Sequence, residues 1–323
     1  EIVPDFCTPG DDPRPGREEQ YSLVMEYRVA LARQVERDLP RAAHMQEKVA
    51  AWDRRQAAAA LALPPDAPLD AAQRHRIRTL GASVFALGQI LMEQGSPDCV
   101  AATKETIQYT QRIGDTAAEA IAHFNLGHAY KDLPAIRDLD AAEAAYRRAL
   151  DLHAPHDALE RSKTIKQIGM VHHARFDAAC GRGEADAALR HAQAAEQHYR
   201  QALALCPPSA VADLGPMYNQ LGNLYQQVGQ IEPAREHYER AAQYLEQVGD
   251  HYNAGRVRYN LAVMYRDAAG REAAPARARD LLRRALAYAQ ASLRDYQHYQ
   301  GRAAADEADA QRLIDVIRRA LGE

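Results

Sequence analysis

The segment Leu221-Gly222-Asn223-Leu224-Tyr225 opens a pattern in which small and aromatic residues recur at fixed offsets. Counted from Gly222, its members are Tyr225 (+3), Ala234 (+12), Tyr238 (+16) and Ala241 (+19). Offsets of three and four bring side chains to one face of a helix. The pattern therefore predicts two consecutive helices that pack against each other through these faces.

The same pattern occurs five times along the chain. The small anchors of the first helices are Gly88, Gly127, Gly169, Gly222 and Ala262. Those of the second helices are Ala102, Ala142, Ala195, Ala234 and Ala278. Successive first-helix anchors are 39, 42, 53 and 40 residues apart. A period near 40 residues predicts a stack of similar helix pairs, in which aromatic side chains fill the space between one pair and the next.

The third pair has a longer spacing than the others. Gly169 and Ala195 are 26 residues apart, whereas Gly222 and Ala234 are 12 apart. We expect both helices of this pair to be lengthened equally, by about two turns each, with the turn at 180–183. A disordered insertion is the alternative, but 187–203 is alanine-rich and periodic. The spacing therefore predicts a hairpin that projects beyond its neighbours.

These residues resemble the tetratricopeptide repeat (TPR), a helix-turn-helix unit that carries Leu-Gly-x-x-Tyr followed by Ala-x-x-x-Tyr-x-x-Ala. The resemblance covers roughly residues 80 to 290 and is most specific around Gly127 and Gly222. The period and the motifs 113–115 (Ile-Gly-Asp) and 248–250 (Val-Gly-Asp) are similar to the long-period subclass found in kinesin light chains, polarity scaffolds and bacterial regulators. The resemblance to this family implies an all-α, right-handed TPR-like α-solenoid of antiparallel helix pairs.

Helical periodicity extends beyond the repeats on both sides. At the N-terminal end, one face carries Tyr21, Val24, Met25, Arg28, Val29 and Ala32. We expect a break at Leu39-Pro40, since proline suits the first turn of a helix and not its interior. Helices are expected at 17–38, 41–62, 70–93, 97–112, 115–132, 138–153, 157–180, 184–206, 213–228, 231–247, 250–268, 275–298 and 303–321.

The expected organisation has four parts. They are an extended or disordered lead (1–16), a divergent helical hairpin with a proline-rich linker (17–69), five TPR-like pairs of which the third, 157–206, is lengthened (70–298), and a capping helix (299–323). An open stack needs such a cap to cover its last apolar face.

Composition narrows the class of protein. The net charge of −4 gives no global attraction to nucleic acid, and no apolar run is long enough to span a membrane. Four scattered cysteines without a C-x-x-C pair are typical of free thiols in a reducing cytoplasm. The chain begins with Glu1 rather than Met, which is compatible with a place within a longer polypeptide.

The sequence contains no recognisable enzymatic or cofactor motif. It has no phosphate loop, dinucleotide fingerprint, G-x-S-x-G or H-E-x-x-H. His172 and His173 are adjacent and point about 100° apart on a helix, which does not suit a shared metal. His153, His156 and Asp157 are a weak candidate cluster, and a polar helix end explains them as well. We therefore expect no enzyme activity, no cofactor and no metal.

In the TPR family the first helix of each pair lines a concave groove, at offsets of −6, −3, −2, +1, +4 and +5 from the anchor. The predicted partner-binding residues are Asn125, His128, Lys131, Lys163, Lys166, His173, Asn219, Asn223, Gln226, Arg256, Asn260 and Arg266. Asparagine can bond to the backbone of an extended peptide, and the resemblance implies this role for Asn125 and Asn260. The cations favour an acidic segment or a terminal carboxylate. A solvated helix face would carry similar polar residues without binding anything.

Three functions follow, and they remain open at this stage. The first is a protein- or peptide-binding scaffold, or the sensor arm of a bacterial signalling system. The second is a regulator that weakly assists catalysis by a partner, with Gln20, Glu26 and Gln34 as available polar residues. The third is an oligomerisation module that uses the 157–206 hairpin.

Overall fold

The computed structural model describes residues 13–14, 16–17, 21–299 and 301–323, apart from the side chain of Ser22. The chain divides into two compact units, Glu1–Pro155 and His156–Glu323, called unit 1 and unit 2 below. The extended lead predicted for residues 1–16 lies almost wholly outside the described residues.

Unit 1 contains six α-helices in its described part. They are α1 (Tyr21–Ala30), α2 (Leu39–Leu61), α3 (Ala71–Glu93), α4 (Cys99–Ile113), α5 (Thr116–Asp132) and α6 (Leu139–Leu152). A π-helical segment, Leu31–Glu36, continues α1, and a short 3₁₀ helix, Pro134–Ile136, precedes α6. Each helix packs on the next one along the chain.

Unit 2 contains seven α-helices in its described part. They are α7 (Ala158–Arg182), α8 (Ala185–Leu205), α9 (Val211–Gln227), α10 (Ile231–Gln247), α11 (His251–Arg271), α12 (Pro275–Gln297) and α13 (Ala304–Leu321). The main core includes residues from Phe176 to Ile317, and α13 packs on α12 and buries Leu313, Ile314 and Ile317 in it. The all-α, TPR-like architecture of paired helices is confirmed. The division of the chain into four parts stays a prediction.

The Gly-Asp motifs end one helix and start the next. Gly114 has a left-handed φ of 69° and ends α4, and the Asp115 side chain then accepts a hydrogen bond from the Ala118 amide at 3.1 Å. Gly249 (φ 72°) and Asp250 do the same between α10 and α11. Glycine adopts positive φ without a Cβ clash, and aspartate satisfies a free amide of the first helical turn. Two adjacent residues thus set the turn between successive pairs.

In three of the pairs, the anchor glycine lies directly beneath the tyrosine ring of the same pair. A Cβ on Gly222 would lie 2.5 Å from Tyr238 Cδ1, and one on Gly127 would lie 2.6 Å from Tyr146 Cε1. Gly169 and Tyr199 have the same relation, at 2.8 Å. The expectation that all the aromatics fill the space between pairs is therefore wrong for these tyrosines. Only glycine lets the two backbones come close enough to bury the whole ring.

The tyrosine three residues after the anchor makes the contact between pairs. Tyr225 on α9 donates its hydroxyl hydrogen to Glu196 Oε1 at 2.6 Å and accepts from Arg200 Nη2 at 2.7 Å, both on α8. Its ring is buried in the unit 2 core. One aromatic of the pattern thus closes the pair, and the other holds successive pairs together.

The lengthened hairpin differs from its predicted form at its turn. Helix α7 has 25 residues and α8 has 21, compared with 17 in each of α9 and α10. Measured from the anchors toward the turn, α7 is longer by 8 residues (169–182 compared with 222–227) and α8 by 7 (185–195 compared with 231–234), close to the equal lengthening that was predicted. Helix α7 continues through the predicted turn because Cys180, Gly181 and Arg182 remain helical, and it ends at Gly183 with a φ of 72°.

The N-terminal break also lies elsewhere than predicted. The chain reverses at Arg37, whose φ is 58°, and Asp38 caps α2 by accepting from the Arg41 amide at 3.0 Å. Helix α2 starts at Leu39 with Pro40 in its first turn, as the fixed φ of proline allows. The reversal therefore precedes Leu39-Pro40 by two residues, since the left-handed residue and not the proline ends the first helix.

The proline-rich linker after α2 is held by the side chain of Arg112. Its Nη2 donates to the carbonyl oxygens of Pro64 and Ala67 at 3.0 Å each. The Pro64 carbonyl also accepts from the Ala67 amide at 3.0 Å, and the guanidinium adds a donor for both carbonyls. The linker is thereby fixed to the end of α4.

A pair of alanine substitutions tests the glycine–tyrosine contact. Gly222→Ala should lower the free energy of unfolding by about 1–3 kcal/mol, because the new methyl group overlaps the Tyr238 ring. Gly81→Ala is the control, since its Cβ would meet only Tyr109 Cβ at 3.5 Å. It should stabilise α3 by about 0.5–1 kcal/mol through the helix propensity of alanine. Urea unfolding followed by circular dichroism measures both, and equal effects of the two substitutions would contradict the proposed contact.

Candidate functional site

A polar pocket of about 370 Å³ lies in unit 2 on the side formed by α7, α9 and α11. We call it the amide pocket. Its lining residues are Met170, His173, Ala174, Asp177, Tyr199, Gln220, Asn223, Gln226, Gln227 and Asn260. Four of the residues predicted from sequence line it, namely His173, Asn223, Gln226 and Asn260. Pockets that hold small ligands and peptide segments are of this size.

Two amide oxygens of the pocket lie within hydrogen-bond distance of one buried tyrosine hydroxyl. The Tyr238 hydroxyl donates its one hydrogen to Gln226 Oε1 at 2.6 Å, and the same hydroxyl oxygen lies 2.8 Å from Asn223 Oδ1. Tyr238 is fully buried, and burial raises the pKa of its hydroxyl above the ordinary value. The phenol therefore keeps its proton and remains a donor. Its position fixes both amide groups with their oxygens turned inward.

A second network orients Gln227. His173 Nε2 lies 2.7 Å from Gln227 Oε1, and His173 Nδ1 lies 3.2 Å from the Tyr199 hydroxyl oxygen. Since an amide oxygen only accepts, Nε2 carries the proton and Nδ1 accepts from Tyr199. Burial and, second, the charge of Asp177 raise the pKa of Tyr199, so this phenol also stays protonated. The chain of bonds runs from Tyr199 through His173 to Gln227.

These two networks leave the amide NH₂ groups of the pocket available to a ligand. The oxygens of Asn223, Gln226 and Gln227 face Tyr238 and His173, and their NH₂ groups have no hydrogen-bond partner among the residues that the structure describes. None of these nitrogens is a buried unsatisfied atom, so water reaches them. The amide pocket thus presents three oriented, solvated donors on one helix, α9, which suit carbonyl or carboxylate oxygens.

Two residues of this pocket, Asp177 and Tyr199, lie outside the groove offsets predicted from the sequence. Ala174 and Asp177 follow Gly169 by five and eight residues on α7. On a helix, the residue eight positions after the anchor lies one turn beyond the residue four positions after it. The predicted lengthening of α7 was therefore the signal that could have pointed to Asp177. Tyr199 was assigned only to packing, although its hydroxyl also reaches His173.

The predicted residues of unit 1 lie on α5 and interact with one another. His128 Nδ1 lies 3.2 Å from Asp132 Oδ2, and Lys131 Nζ lies 3.2 Å from Asp132 Oδ1. Burial would raise the pKa of the Asp132 carboxyl, but the hydrogen bond from His128 and the charge of Lys131 lower it below its ordinary value. Lys131 is itself buried, and Asn125 is half-buried earlier on the same helix. His128 and Lys131 thus both interact with a carboxylate of their own helix.

The remaining predicted cations of unit 2 do not line the amide pocket. Lys163 Nζ lies 3.0 Å from Glu160 Oε1 and 3.9 Å from Asp213 Oδ1, and half-buried Lys166 follows it on α7. Two others lie on α11. Arg266 pairs with Asp267 at 2.6 Å, and exposed Arg256 donates to Asn253 Oδ1 at 3.4 Å.

Asn219 also lies outside the pocket. It is half-buried on α9, and its Oδ1 has no hydrogen-bond partner within the described ranges.

Unit 1 has a different, apolar pocket of about 240 Å³ between α3, α4 and α5. Its polar lining groups are already bonded. Tyr109 donates to Glu105 Oε1 at 2.5 Å, and the Thr106 and Thr110 hydroxyls donate to backbone carbonyls of α4. At its edge, Arg78 and Asp115 form an ion pair at 3.5 Å. This pocket suits an apolar group and offers no oriented donor.

Three histidines meet in the α7–α8 hairpin. His172 Nδ1 lies 3.4 Å from His191 Nδ1, and the His172 ring stacks on His198 with centroids 5.3 Å apart. His191 and His198 thus take part in the packing of this hairpin. Elsewhere, His156 pairs with Asp157 at 3.4 Å. Within the described ranges, no group of three or more His, Cys, Asp or Glu residues could hold a metal ion.

Among the described residues, every helix is either too short or too polar to cross a bilayer.

Comparisons with known proteins agree with the architecture. Family models of the tetratricopeptide repeat match residues 120–154 and 213–291. The crystal structure of BtubC (BKLC) from P. vanneervenii is similar, with a TM-score of 0.61 and 18% identity over 82% of this chain and 93% of that one. The human IFIT1 dimer with m7Gppp-AAAA gives a TM-score of 0.42 and 15% identity over 95% and 69%. No curated protein sequence matches the chain. The matched segments, together with the paired helices and their glycine–tyrosine contacts, show that this chain carries tetratricopeptide repeats at 120–154 and 213–291.

Proposed function

We propose that this chain is a non-enzymatic binding module that holds an extended segment of a partner protein in the amide pocket of unit 2. Tetratricopeptide repeats in general mediate protein–protein interaction. The observation that carries the proposal is the orientation of Asn223, Gln226 and Gln227, whose oxygens are engaged and whose NH₂ groups are available.

An extended backbone matches the chemistry of this pocket. Its carbonyl oxygens have no partner within the segment itself and can accept from the three amide NH₂ groups. Asn260 and Gln220 also line the pocket, and each offers a donor and an acceptor for backbone groups of the segment. The site is preorganised by buried phenols, so few side chains have to be ordered when the segment binds, and this lowers the entropic cost of binding.

The charges favour backbone recognition over recognition of acidic side chains. Asp177 lines the amide pocket, and none of the described lining residues is a lysine or arginine. Lys163, which suggested an acidic partner, has Glu160 and Asp213 as neighbours. We therefore propose a segment recognised mainly by its backbone, with a neutral or basic side chain near Asp177.

The wider setting rests on the sequence alone. The long repeat period and the Ala- and Arg-rich composition support a scaffold, or the sensor arm of a bacterial signalling system in the cytoplasm. The alternative of assisted catalysis has less support. Gln20 lies outside the described residues, and Glu26 and Gln34 are both exposed. An oligomerisation role of the 157–206 hairpin remains a separate hypothesis.

The first experiment tests the amide donors. Peptides selected from a random library of about 12 residues are synthesised with a fluorescent label, and their affinity is measured by anisotropy. Asn223→Ala and Gln226→Ala should each raise Kd about fivefold, because each removes one hydrogen bond worth about 1 kcal/mol. In each single variant Tyr238 keeps one acceptor, so the fold is retained.

The matched control is Gln243→Ala, which removes an exposed glutamine of α10 outside the pocket and should leave Kd unchanged. Selected peptides that bind all three variants as tightly as the unmodified chain would show that the amide pocket is not the binding site.

A salt series separates backbone recognition from recognition of acidic side chains. The Kd of the selected peptides should change less than about twofold between low and moderate salt, since screening acts on charge pairs and hardly on neutral hydrogen bonds. Lys163→Glu should have an equally small effect. A steep rise of Kd with salt, together with a large loss in Lys163→Glu, would instead support the acidic-segment hypothesis.

A further inference from the structure

An apolar stripe lies exposed along α1 and the π-helical segment that continues it. Leu23, Tyr27, Leu31 and Val35 follow one another at intervals of four residues, and they are 71%, 65%, 37% and 71% exposed. Single exposed apolar residues are ordinary on protein surfaces, but a contiguous patch of large ones is not. We call these four residues the α1 stripe.

The stripe is a second apolar face on a helix that already has one. Tyr21, Met25, Val29 and Ala32 are buried in the core formed with α2 and Ile90 of α3. A helix on the surface of a globular protein normally carries polar residues opposite its buried face, and a helix that is apolar on both sides is normally covered on both. A helical period identifies both faces but does not say which of them the rest of the chain covers. The second face of α1 therefore calls for a partner.

The π-helical segment keeps the stripe in line. A spacing of four exceeds the 3.6 residues of one α-helical turn, so the stripe drifts around α1 from Leu23 to Leu31. A π turn, with its bonds from residue i to i+5, is longer than four residues. Within the π-helical segment Leu31–Glu36, the four residues from Leu31 to Val35 make less than one turn. Val35 is thereby rotated back toward the side of the helix on which Tyr27 lies. The result is a ridge about 18 Å long.

We propose that the α1 stripe is the contact by which two copies of this chain associate. The four side chains together expose roughly 400 Å², which matches the largest apolar patch of a typical monomer. A standard interface buries about 800 Å² per partner, and in homodimers about 65% of it is apolar, which is about 500 Å². The stripe alone thus supplies most of the apolar area that a stable dimer needs.

The surroundings of the stripe suit a symmetric contact. A two-fold axis brings the same ridge from both copies together, so one surface serves as its own partner. Two pairs of charged neighbours are already formed within the chain, Arg33 with Glu93 and Arg41 with Glu36, at 3.0 Å each. Closing the interface beside them leaves these charges compensated, which avoids the cost of burying an unpaired ion.

The experiment measures the mass of the purified chain by light scattering and sedimentation from about 1 to about 100 μM, because association depends on concentration. The unmodified chain should approach twice its monomer mass of 35.8 kDa. The double variant Leu23→Glu, Tyr27→Glu should remain monomeric, with a dimer Kd raised at least about 30-fold. Leu23→Ser, Val35→Ser is a milder second variant, and circular dichroism confirms that both keep their helices.

The control substitution is Leu189→Glu on α8, which removes another exposed leucine (59%) from the 157–206 hairpin and should leave the dimer intact. A monomeric mass of the unmodified chain at every concentration would overturn the proposal. So would a dimer that survives both stripe variants. If the dimer survives both stripe variants and is lost in Leu189→Glu, the hairpin and not α1 is the interface.

Discussion

The contact between an anchor glycine and a tyrosine ring is the constraint on which the rest of this structure depends. It sets how closely the two helices of a pair approach, and therefore where the tyrosine hydroxyl lies. In unit 2 that hydroxyl reaches the side chain four residues after the glycine, which is His173 after Gly169 and Gln226 after Gly222. The packing that closes each pair thus also orients the groups of the amide pocket.

Unit 1 shows what happens when the residue at that position cannot accept a hydrogen bond. Four residues after Gly127 stands Lys131, whose ammonium group only donates. The Tyr146 hydroxyl is buried and has no hydrogen-bond partner among the described residues. The nearby His128 ring contacts Tyr146 edge-on, but its Nδ1 faces Asp132. The same packing unit therefore produces an oriented amide in one place and an unsatisfied phenol in another.

The helices were predictable because their signals are local, and the site was predictable only in part. Gly114 and Asp115 mark a helix boundary by their own conformations and hydrogen bonds. The near-equal lengthening of α7 and α8 toward their turn followed from the anchor spacing, whereas the exact position of that turn did not, because 180–182 remain helical up to Gly183. The surroundings of Lys163 depend on Asp213, a residue 50 positions later, and no helical period relates the two.

The repeats also explain how one scaffold can carry two different pockets. At offsets of −6 and −3 from their anchors, α3 and α5 bear Ala82, Phe85, Ile121 and Phe124, and three of these line the apolar pocket of unit 1. At +1 and +4, α9 bears Asn223 and Gln226 in the amide pocket of unit 2. The glycine and tyrosine positions determine the fold, whereas the residues at these offsets differ in kind between the two units. Binding chemistry can therefore change from one repeat to the next without altering the architecture that presents it.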